Sequence, residues 1–292
     1  MTHLTNLNIL VTGASGFIGT KFLQKSNSFF KNIYCITRKD ISIAGYKGQN
    51  IIWLKSGDVK NISKIDVVLH LSTSYGRLDE INQVILADVV LPLQIFEIAI
   101  KTGCRKIINI DSFFSKDIYS YEYMQEYILA KKFLRNCLKI LSKKNSIEII
   151  NATLEHVYGP YDNADKFIST TLNKIYLNQK SIELSPGLQK RDFIYIDDVV
   201  DAFLTLINHK TNSTYKEIGI GTGISITLKE FLESFKRISK SNTSLNFSLV
   251  PYREGEIMES IADNNMLINM GWTPKVSIAQ GLELIHKSYL NG

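Results

Sequence analysis

An α/β architecture, a doubly wound parallel sheet carrying a smaller mixed α/β lobe, is what the sequence predicts, on three observations. From Asn8 to about Thr153, short β-rich apolar runs alternate with longer stretches of helical period, the pattern of βαβ units. A glycine-rich segment joins the first apolar run to the first helical one. Past Tyr158-Gly159-Pro160 the alternation turns irregular, with Asn- and Lys-rich helices, short strands, and turns at Ser185-Pro186-Gly187 and Gly219–Gly223. The chain has 292 residues, 45% hydrophobic and 21% charged, enough to bury a sizeable core, which excludes global disorder.

Taken in order, Ile9–Thr12, Ile33–Thr37, Ile51–Lys55, Asp66–Leu71, Lys106–Asp111 and Glu148–Leu154 read as strands, because each is short, apolar and rich in β-branched residues. Helices are expected over Phe17–Lys25, Ile81–Thr102 and Met124–Lys143, where apolar residues recur at helical spacing. In the last of these Tyr127, Lys131 and Arg135 follow one another at intervals of four, while Leu134, Cys137, Leu138 and Leu141 supply an apolar stripe on another face. The expected division is a dinucleotide-binding domain of residues 1–155 with a returning segment at about 191–210, and a substrate-binding lobe of residues 156–292 for the remainder.

Composition narrows the function. Cys35, Cys104 and Cys137 are odd in number and lie far apart without a CxxC pair, so neither a disulfide framework nor a cysteine-based metal site is expected. The N-terminus is short and polar before the first strand, and no run reaches the roughly 18 consecutive apolar residues of a membrane helix; a cytoplasmic protein without a membrane partner is the expectation. The net charge of +6 comes from 34 basic and 28 acidic residues spread along the chain, without the basic stripe that nucleic-acid binding needs. That mild bias suits an anionic small molecule.

The segment Thr12-Gly13-Ala14-Ser15-Gly16-Phe17-Ile18-Gly19 spaces three glycines as GxxGxxG between strand and helix, as the first unit of a Rossmann-type sheet does. The glycines serve a tight turn, close backbone approach to a pyrophosphate, and close packing of helix on strand. Main-chain amides of Ser15, Phe17 and Ile18 at the helix start then offer donors to phosphate. The second strand ends Thr37-Arg38-Lys39, where an NAD site would carry a carboxylate for the ribose hydroxyls. Arg38 instead suits a 2′-phosphate, which favours NADPH over NADH. Asp58, after the third strand, is placed to accept from the adenine amino group.

Tyr127 and Lys131 form a YxxxK pair one helical turn apart. A nearby cation is expected to lower the phenol pKa and ready it to protonate a carbonyl oxygen. Tyr176 and Lys180 repeat the spacing, but only Tyr127 lies on the helix after the strand that ends Asp111-Ser112, at the carboxyl edge of the sheet. Tyr176 is assigned to packing or surface.

The glycine loop, Ser112 and Tyr127/Lys131 together resemble the extended short-chain dehydrogenase/reductase family, whose members act mainly on nucleotide sugars. Asp66-Val67-Val68-Leu69-His70-Leu71-Ser72 resembles its fourth-strand motif, which implies that Leu71 and Ser72 lie beside the cofactor. His156-Val157-Tyr158-Gly159-Pro160 resembles "NVYGP", and Arg191-Asp192-Phe193-Ile194-Tyr195-Ile196-Asp197-Asp198-Val199 resembles "RDFxxVDDV". Arg253-Glu254-Gly255-Glu256 resembles "RxGD", and Met270-Gly271-Trp272-Thr273-Pro274 with Gly281-Leu282 resembles the terminal "LGWxP…GL". The resemblance implies that Arg191 and Arg253 hold the diphosphate of a nucleotide-sugar substrate, that His156 faces that substrate, and that a homodimer forms by packing two helices of each chain into a four-helix bundle. Asp88 stands where the family usually has Asn, Thr153 where an Arg is common, and the interval from Ser112 to Tyr127 is short.

Within the family, dehydratases carry an Asp-Glu pair after the serine, and the epimerase/reductases that act at C3 and C5 carry a cysteine there and a histidine after "YGP". Here Phe113-Phe114 and Tyr161 occupy those places. With Leu154-Glu155-His156, this resembles the nucleotide-4-keto-6-deoxyhexose 4-reductases, and implies NADPH-dependent reduction of a C4 ketone in deoxysugar biosynthesis for surface polysaccharide such as O-antigen. Phe113 would then wall the deoxygenated carbon. An NAD-retaining 4-epimerase and a non-catalytic NADP-binding sensor or scaffold are the alternatives.

Overall fold

The computed structural model describes residues 4–38, 40, 46–76, 81–210 and 213–291. The chain forms two compact units: Met1–Asp117 with Met124–Thr153 and Ala202–Ile218, and Ile118–Tyr123 with Leu154–Asp201 and Gly219–Gly292.

The first unit is built on a seven-stranded parallel sheet. Its strands are β1 (Asn8–Thr12), β2 (Asn32–Ile36), β3 (Ile51–Leu54), β4 (Val67–His70), β5 (Lys106–Ser112), β6 (Glu148–Leu154) and an edge strand β11 (Tyr215–Ile220). The order β11-β6-β5-β4-β1-β2-β3 is doubly wound: the chain runs outward from β1 to β3, returns across it, and builds the other half from β4. The switch point therefore lies between β1 and β4, whose register sets Thr12 opposite His70. Every residue of β1 is buried, as a parallel strand covered on both faces requires. Its first N–H is taken by the Asp66 carboxylate, Asn8 N to Oδ2 at 2.9 Å.

All six expected strands are present within a residue or two. The seventh, β11, escaped the sequence reading because Tyr215-Lys216-Glu217 is polar, as an edge strand tolerates. The helix expected over Ile81–Thr102 is interrupted. An α-helical turn α2 (Ile81–Ile85) passes into one π-helical turn at Leu86–Val90 before α3 (Leu91–Lys101). Pro92 has no N–H to give, and the Leu91 N–H reaches back five residues to the Leu86 carbonyl. The widened turn carries Asp88 inward, where its carboxylate accepts from Ser74 N at 2.6 Å and Thr73 Oγ1 at 3.0 Å. Among the described residues, Ile81–Lys101 has the length and mean hydropathy, 1.8, of a membrane span; Ile95, Phe96 and Ala99 put its apolar face into the core with Leu10, Val68 and Ile107. Helix α1 (Phe17–Ser26) follows the glycine loop, and α4 (Gln125–Asn145) opens and closes on left-handed residues, Met124 and Ser146.

The second unit mixes short ladders with helices. β7 (His156–Tyr158) pairs parallel with β10 (Phe193–Tyr195), β9 (Lys190–Arg191) lies between β12 (Ile226–Thr227) and β14 (Glu259–Ser260), and β8 (Ser181–Glu183) pairs with β13 (Ser244–Asn246). Helices α5 (Phe167–Tyr176), α7 (Leu228–Ser239), the short α8 (Asn265–Asn269) and α9 (Ile278–Asn291) complete it, and α6 (Ile196–Asn208) runs from this unit into the first. Its core is aromatic: Phe193 stacks on Phe231 at 4.0 Å and Tyr158 meets Phe231 edge-on at 5.3 Å. Gly281 admits that tyrosine, since a Cβ there would overlap the Tyr158 hydroxyl. Asp192 has no exposed surface; its carboxylate accepts from Thr222 N and Oγ1, Gly223 N and Ala262 N. Tyr176 donates to the Tyr289 carbonyl at 3.0 Å and packs on its ring, a structural role as expected.

Candidate active site

At the switch point the chain leaves β1 through Gly13 with φ +71°, a conformation that costs a side chain dearly and a glycine nothing. A Cβ on Gly13 would lie 2.7 Å from Ser72 N, and one on Gly19 would overlap the Gly13 carbonyl and lie 2.6 Å from Ala14 Cα. The loop can therefore be pressed against both α1 and the end of β4 only because those side chains are missing. Gly16 N bonds to Gly13 O at 3.0 Å and closes the turn. Ser15, Phe17 and Ile18 stand half-buried at the entrance to α1, where a helix's first N–H groups face outward. These features form a cradle that fits a dinucleotide pyrophosphate.

Leu71 and Ser72 form the opposite rim. Leu71 N donates to the Thr12 carbonyl at 3.2 Å and Ser72 N to Thr12 Oγ1 at 3.3 Å. Thr12 Oγ1 also pairs with His70 Nδ1 at 2.6 Å, which ties the imidazole to the end of β1. Burial first, with Lys131 second, holds His70 down to about 3, so it is neutral.

Arg38 is exposed and Thr37 buried at the end of β2. The arginine borders a cavity of about 410 Å³ with Ser74, Gln83, Ala87 and Gln94. Its carbonyl accepts from Lys55 Nζ at 3.2 Å; Lys39 lies outside the described residues. One Asp58 oxygen accepts from Lys55 N at 3.1 Å, fixing this loop.

The catalytic candidates converge at the carboxyl end of β5. Tyr127, 4% exposed, is hydrogen-bonded to Ser112. Lys131 Nζ donates to the Ile110 carbonyl at 2.9 Å and lies 5.7 Å from the centre of the Tyr127 ring. The expected lowering of the phenol pKa is not found. Burial pushes Tyr127 well above the ordinary tyrosine value, the hydrogen bond from Ser112 opposing it. Lys131 thus anchors the strand end, and the phenol is held as an acid with its proton on. Tyr75 leans on Tyr127 with ring centres 5.3 Å apart. The sequence reading missed this ring, although Tyr75 closes the polar run Ser72-Thr73-Ser74 right after the fourth strand. Phe113 is buried, 4.0 Å from the Phe114 ring, so an apolar face follows Ser112.

In the second unit, His156 packs on Phe193 at 5.1 Å and is held down to about 3 by burial, then by Arg191 and Lys166. Arg191 is nearly buried, with Nη2 on Glu256 at 2.6 Å and Nη1 on the Lys190 carbonyl at 2.8 Å. Arg253 lies over the Tyr123 ring at 3.9 Å and donates to Tyr121 Oη at 3.3 Å. Arg191 and Arg253 thus share their surroundings with Glu256 and Tyr121.

Residues 9–221 match the NAD dependent epimerase/dehydratase family. The chain is 32% identical to CDP-abequose synthase of Salmonella typhimurium, covering 96% of this chain and 97% of that protein, and 35% identical to CDP-abequose synthase of Salmonella muenchen, covering 95% and 96%. Among solved structures, UDP-glucuronic acid 4-epimerase from Bacillus cereus, in complex with UDP-glucuronic acid and NAD, superposes with a TM-score of 0.82 over 98% of this chain and 99% of that one at 21% identity.

Proposed function

The chain belongs to the NAD dependent epimerase/dehydratase family, and from that premise we propose that it uses NADPH to reduce the C4 ketone of a nucleotide-linked 4-keto-6-deoxyhexose. One observation carries the choice among family reactions: Tyr127, Ser112 and Lys131 stand together, while Phe113 and Phe114 follow the serine where dehydration needs carboxyl groups. The similarity to two CDP-abequose synthases over nearly their whole length supports a deoxysugar substrate.

The reduced nicotinamide, when bound, supplies the hydride. Gly13, Ser15, Gly16, Phe17, Ile18 and Gly19 hold its pyrophosphate, with Leu71 and Ser72 on the far side, Asp58 toward the adenine, and Thr37 and Arg38 toward a 2′-phosphate. Ser112 donates to the substrate carbonyl oxygen and so stabilises the charge that forms there. Tyr127, kept protonated by burial, passes its proton to that oxygen as the alkoxide appears. Lys131 steadies both through its grip on Ile110 and binds the nicotinamide ribose. Phe113 makes the wall beside C6, His156 stays neutral toward the sugar, and Arg191 and Arg253 take the substrate diphosphate.

The homodimer belongs to the same proposal. Leu129, Phe133 and Ile140 form one stripe of α4, each more than half exposed, and Leu86 is half-exposed on the π turn. Those residues suit a four-helix bundle between two copies. Cys35 and Cys104 are buried as thiols, which fits the reducing cytoplasm.

The test is to incubate the protein with NADPH and a panel of CDP-, dTDP- and GDP-4-keto-6-deoxyhexoses and to follow the absorbance of the reduced nicotinamide. NADPH is consumed with at least one of them, Arg38→Gln erodes the preference over NADH, and Tyr127→Phe lowers kcat by about 1,000-fold with NADPH binding retained. A protein that keeps NAD through purification and interconverts nucleotide hexoses without added reductant is a 4-epimerase, and the reductase reading then fails.

A further inference from the structure

Helix α4 meets the last three residues of β5 with three successive turns of one face. Tyr127 is hydrogen-bonded to Ser112, Lys131 Nζ donates to the Ile110 carbonyl at 2.9 Å, and Arg135 Nη1 stands 3.9 Å from Asp111 Oδ2. We propose that Arg135, paired with the Asp111 carboxylate, is a positioning residue that sets how Ser112 presents its hydroxyl to Tyr127. The proposal rests on the reading in which Ser112 polarises a substrate carbonyl, and deepens it.

The Asp111 side chain is wholly buried and that of Arg135 is 7% exposed. Asp111 Oδ1 accepts from Ser112 N at 2.8 Å and from Ser115 Oγ at 2.6 Å, and Oδ2 accepts from Asn151 Nδ2 at 2.9 Å. The carboxylate is therefore fastened to the main-chain N–H of the serine whose hydroxyl does the chemistry. Ser115 Oγ, with a single proton to offer to Asp111 Oδ1, also lies 2.8 Å from the Ser112 carbonyl. Phe114 N, 3.3 Å from Ser112 Oγ, fixes the direction of the oxygen. Asn151 is itself set by Asn109, whose Nδ2 donates to its Oδ1 at 2.6 Å.

This grip needs Asp111 ionised, because only a carboxylate offers acceptors in every direction. A carboxylate without exposed surface demands a countercharge, and Arg135 brings one, itself held by Asp117 Oδ1 at 2.7 Å. Remove the guanidinium and the buried carboxylate is left without that countercharge; the side chain shifts to find other partners, and Ser112 loses one of its holds. The YxxxK spacing thus continues one turn further, to an arginine that acts through the strand.

Arg135→Gln is compared with Ser112→Ala and with the double variant. The expected result is a fall in kcat of about 10- to 100-fold, with KM for the sugar nucleotide and NADPH affinity within about threefold of wild type. Added to Ser112→Ala, Arg135→Gln costs nothing more, because both act through one hydroxyl. Losses that multiply in the double variant, or NADPH binding that falls in step with kcat, overturn the proposal. Arg135→Lys keeps the charge without the fork; it shows a loss of about 3- to 10-fold that disappears in the Ser112→Ala background, and it decides the matter if Arg135→Gln does not fold. A crystal structure of the variant gives an answer independent of the substrate. Ser112 Oγ turned away from the Tyr127 hydroxyl supports the positioning role, and an unmoved serine sinks it. Wild-type protein that reduces no 4-keto sugar defeats the reductase reading and leaves that structural readout standing.

Discussion

Burial holds both His70 and His156 down to about 3, against an ordinary value of 6.5. The sign follows from proton binding. Between pH 6.5 and 3 the unfolded chain protonates these rings and the folded one does not, so each contribution is full above 6.5 and is lost as pH falls. Each histidine supplies a slope of about 1.4 kcal/mol per pH unit within that window. His70→Asn keeps a polar partner for Thr12 and removes the titration. Urea midpoints at pH 7.5 and 5.0 are expected to differ less in this variant than in wild type; equal differences would clear His70 of any part in acid sensitivity. At this scale the sequence named Ser112, Tyr127 and Lys131 because a YxxxK pair shares one helix face and that helix follows the strand that ends Asp111-Ser112. The direction in which Tyr127 titrates was not legible, because it depends on how completely Tyr75 and the strand ends exclude water from the phenol.

Between β1 and α1 the contact is set by absent atoms. Gly19→Ala puts a Cβ against the Gly13 carbonyl and Ala14, backbone that cannot yield cheaply. Gly57→Ala meets nothing within 4 Å and serves as the control. NADPH affinity is expected to fall at least about tenfold in the first variant and to stay within about twofold in the second, with thermal stability moving in parallel. Equal behaviour of the two by isothermal titration and thermal melts would contradict the close-packing role of Gly19. Element existence was legible where a run was mainly apolar and rich in β-branched residues, as in Ile9–Thr12 and Glu148–Leu154. It was not legible at the π turn, because the apolar period of Ile81–Thr102 is undisturbed while Pro92 decides the hydrogen bonding. Nor was it legible at Tyr215–Ile220, whose first half is polar; bonds from Ile149 N to the Thr214 carbonyl and from Glu155 N to the Ile220 carbonyl hold it to the sheet, and only Ile218 and Ile220 are buried.

For the molecule as a whole, α4 carries three stripes with separate tasks. Tyr127, Lys131 and Arg135 face the end of β5, Ala130, Leu134 and Leu138 are buried in the core, and Leu129, Phe133 and Ile140 are left to solvent in the single chain. Phe133→Glu places a charge in the middle of that third stripe. Sedimentation velocity is expected to find wild type as a dimer and the variant as a monomer, the fold retained; a monomeric wild type at micromolar concentration would dispose of the four-helix bundle. The sequence marked which faces of the helix are apolar, but not that one of them remains uncovered, since exposure is settled only when the rest of the chain has packed. The same holds for Asp192, which follows Arg191 in the chain and ties distant loops together. Its carboxylate draws a donor from Ala262, 70 residues further along. A ribosome releases the chain in order, so until Ala262 clears the exit tunnel the nascent protein carries a charge still short of its last donor, and a premature stop upstream leaves it that way for good.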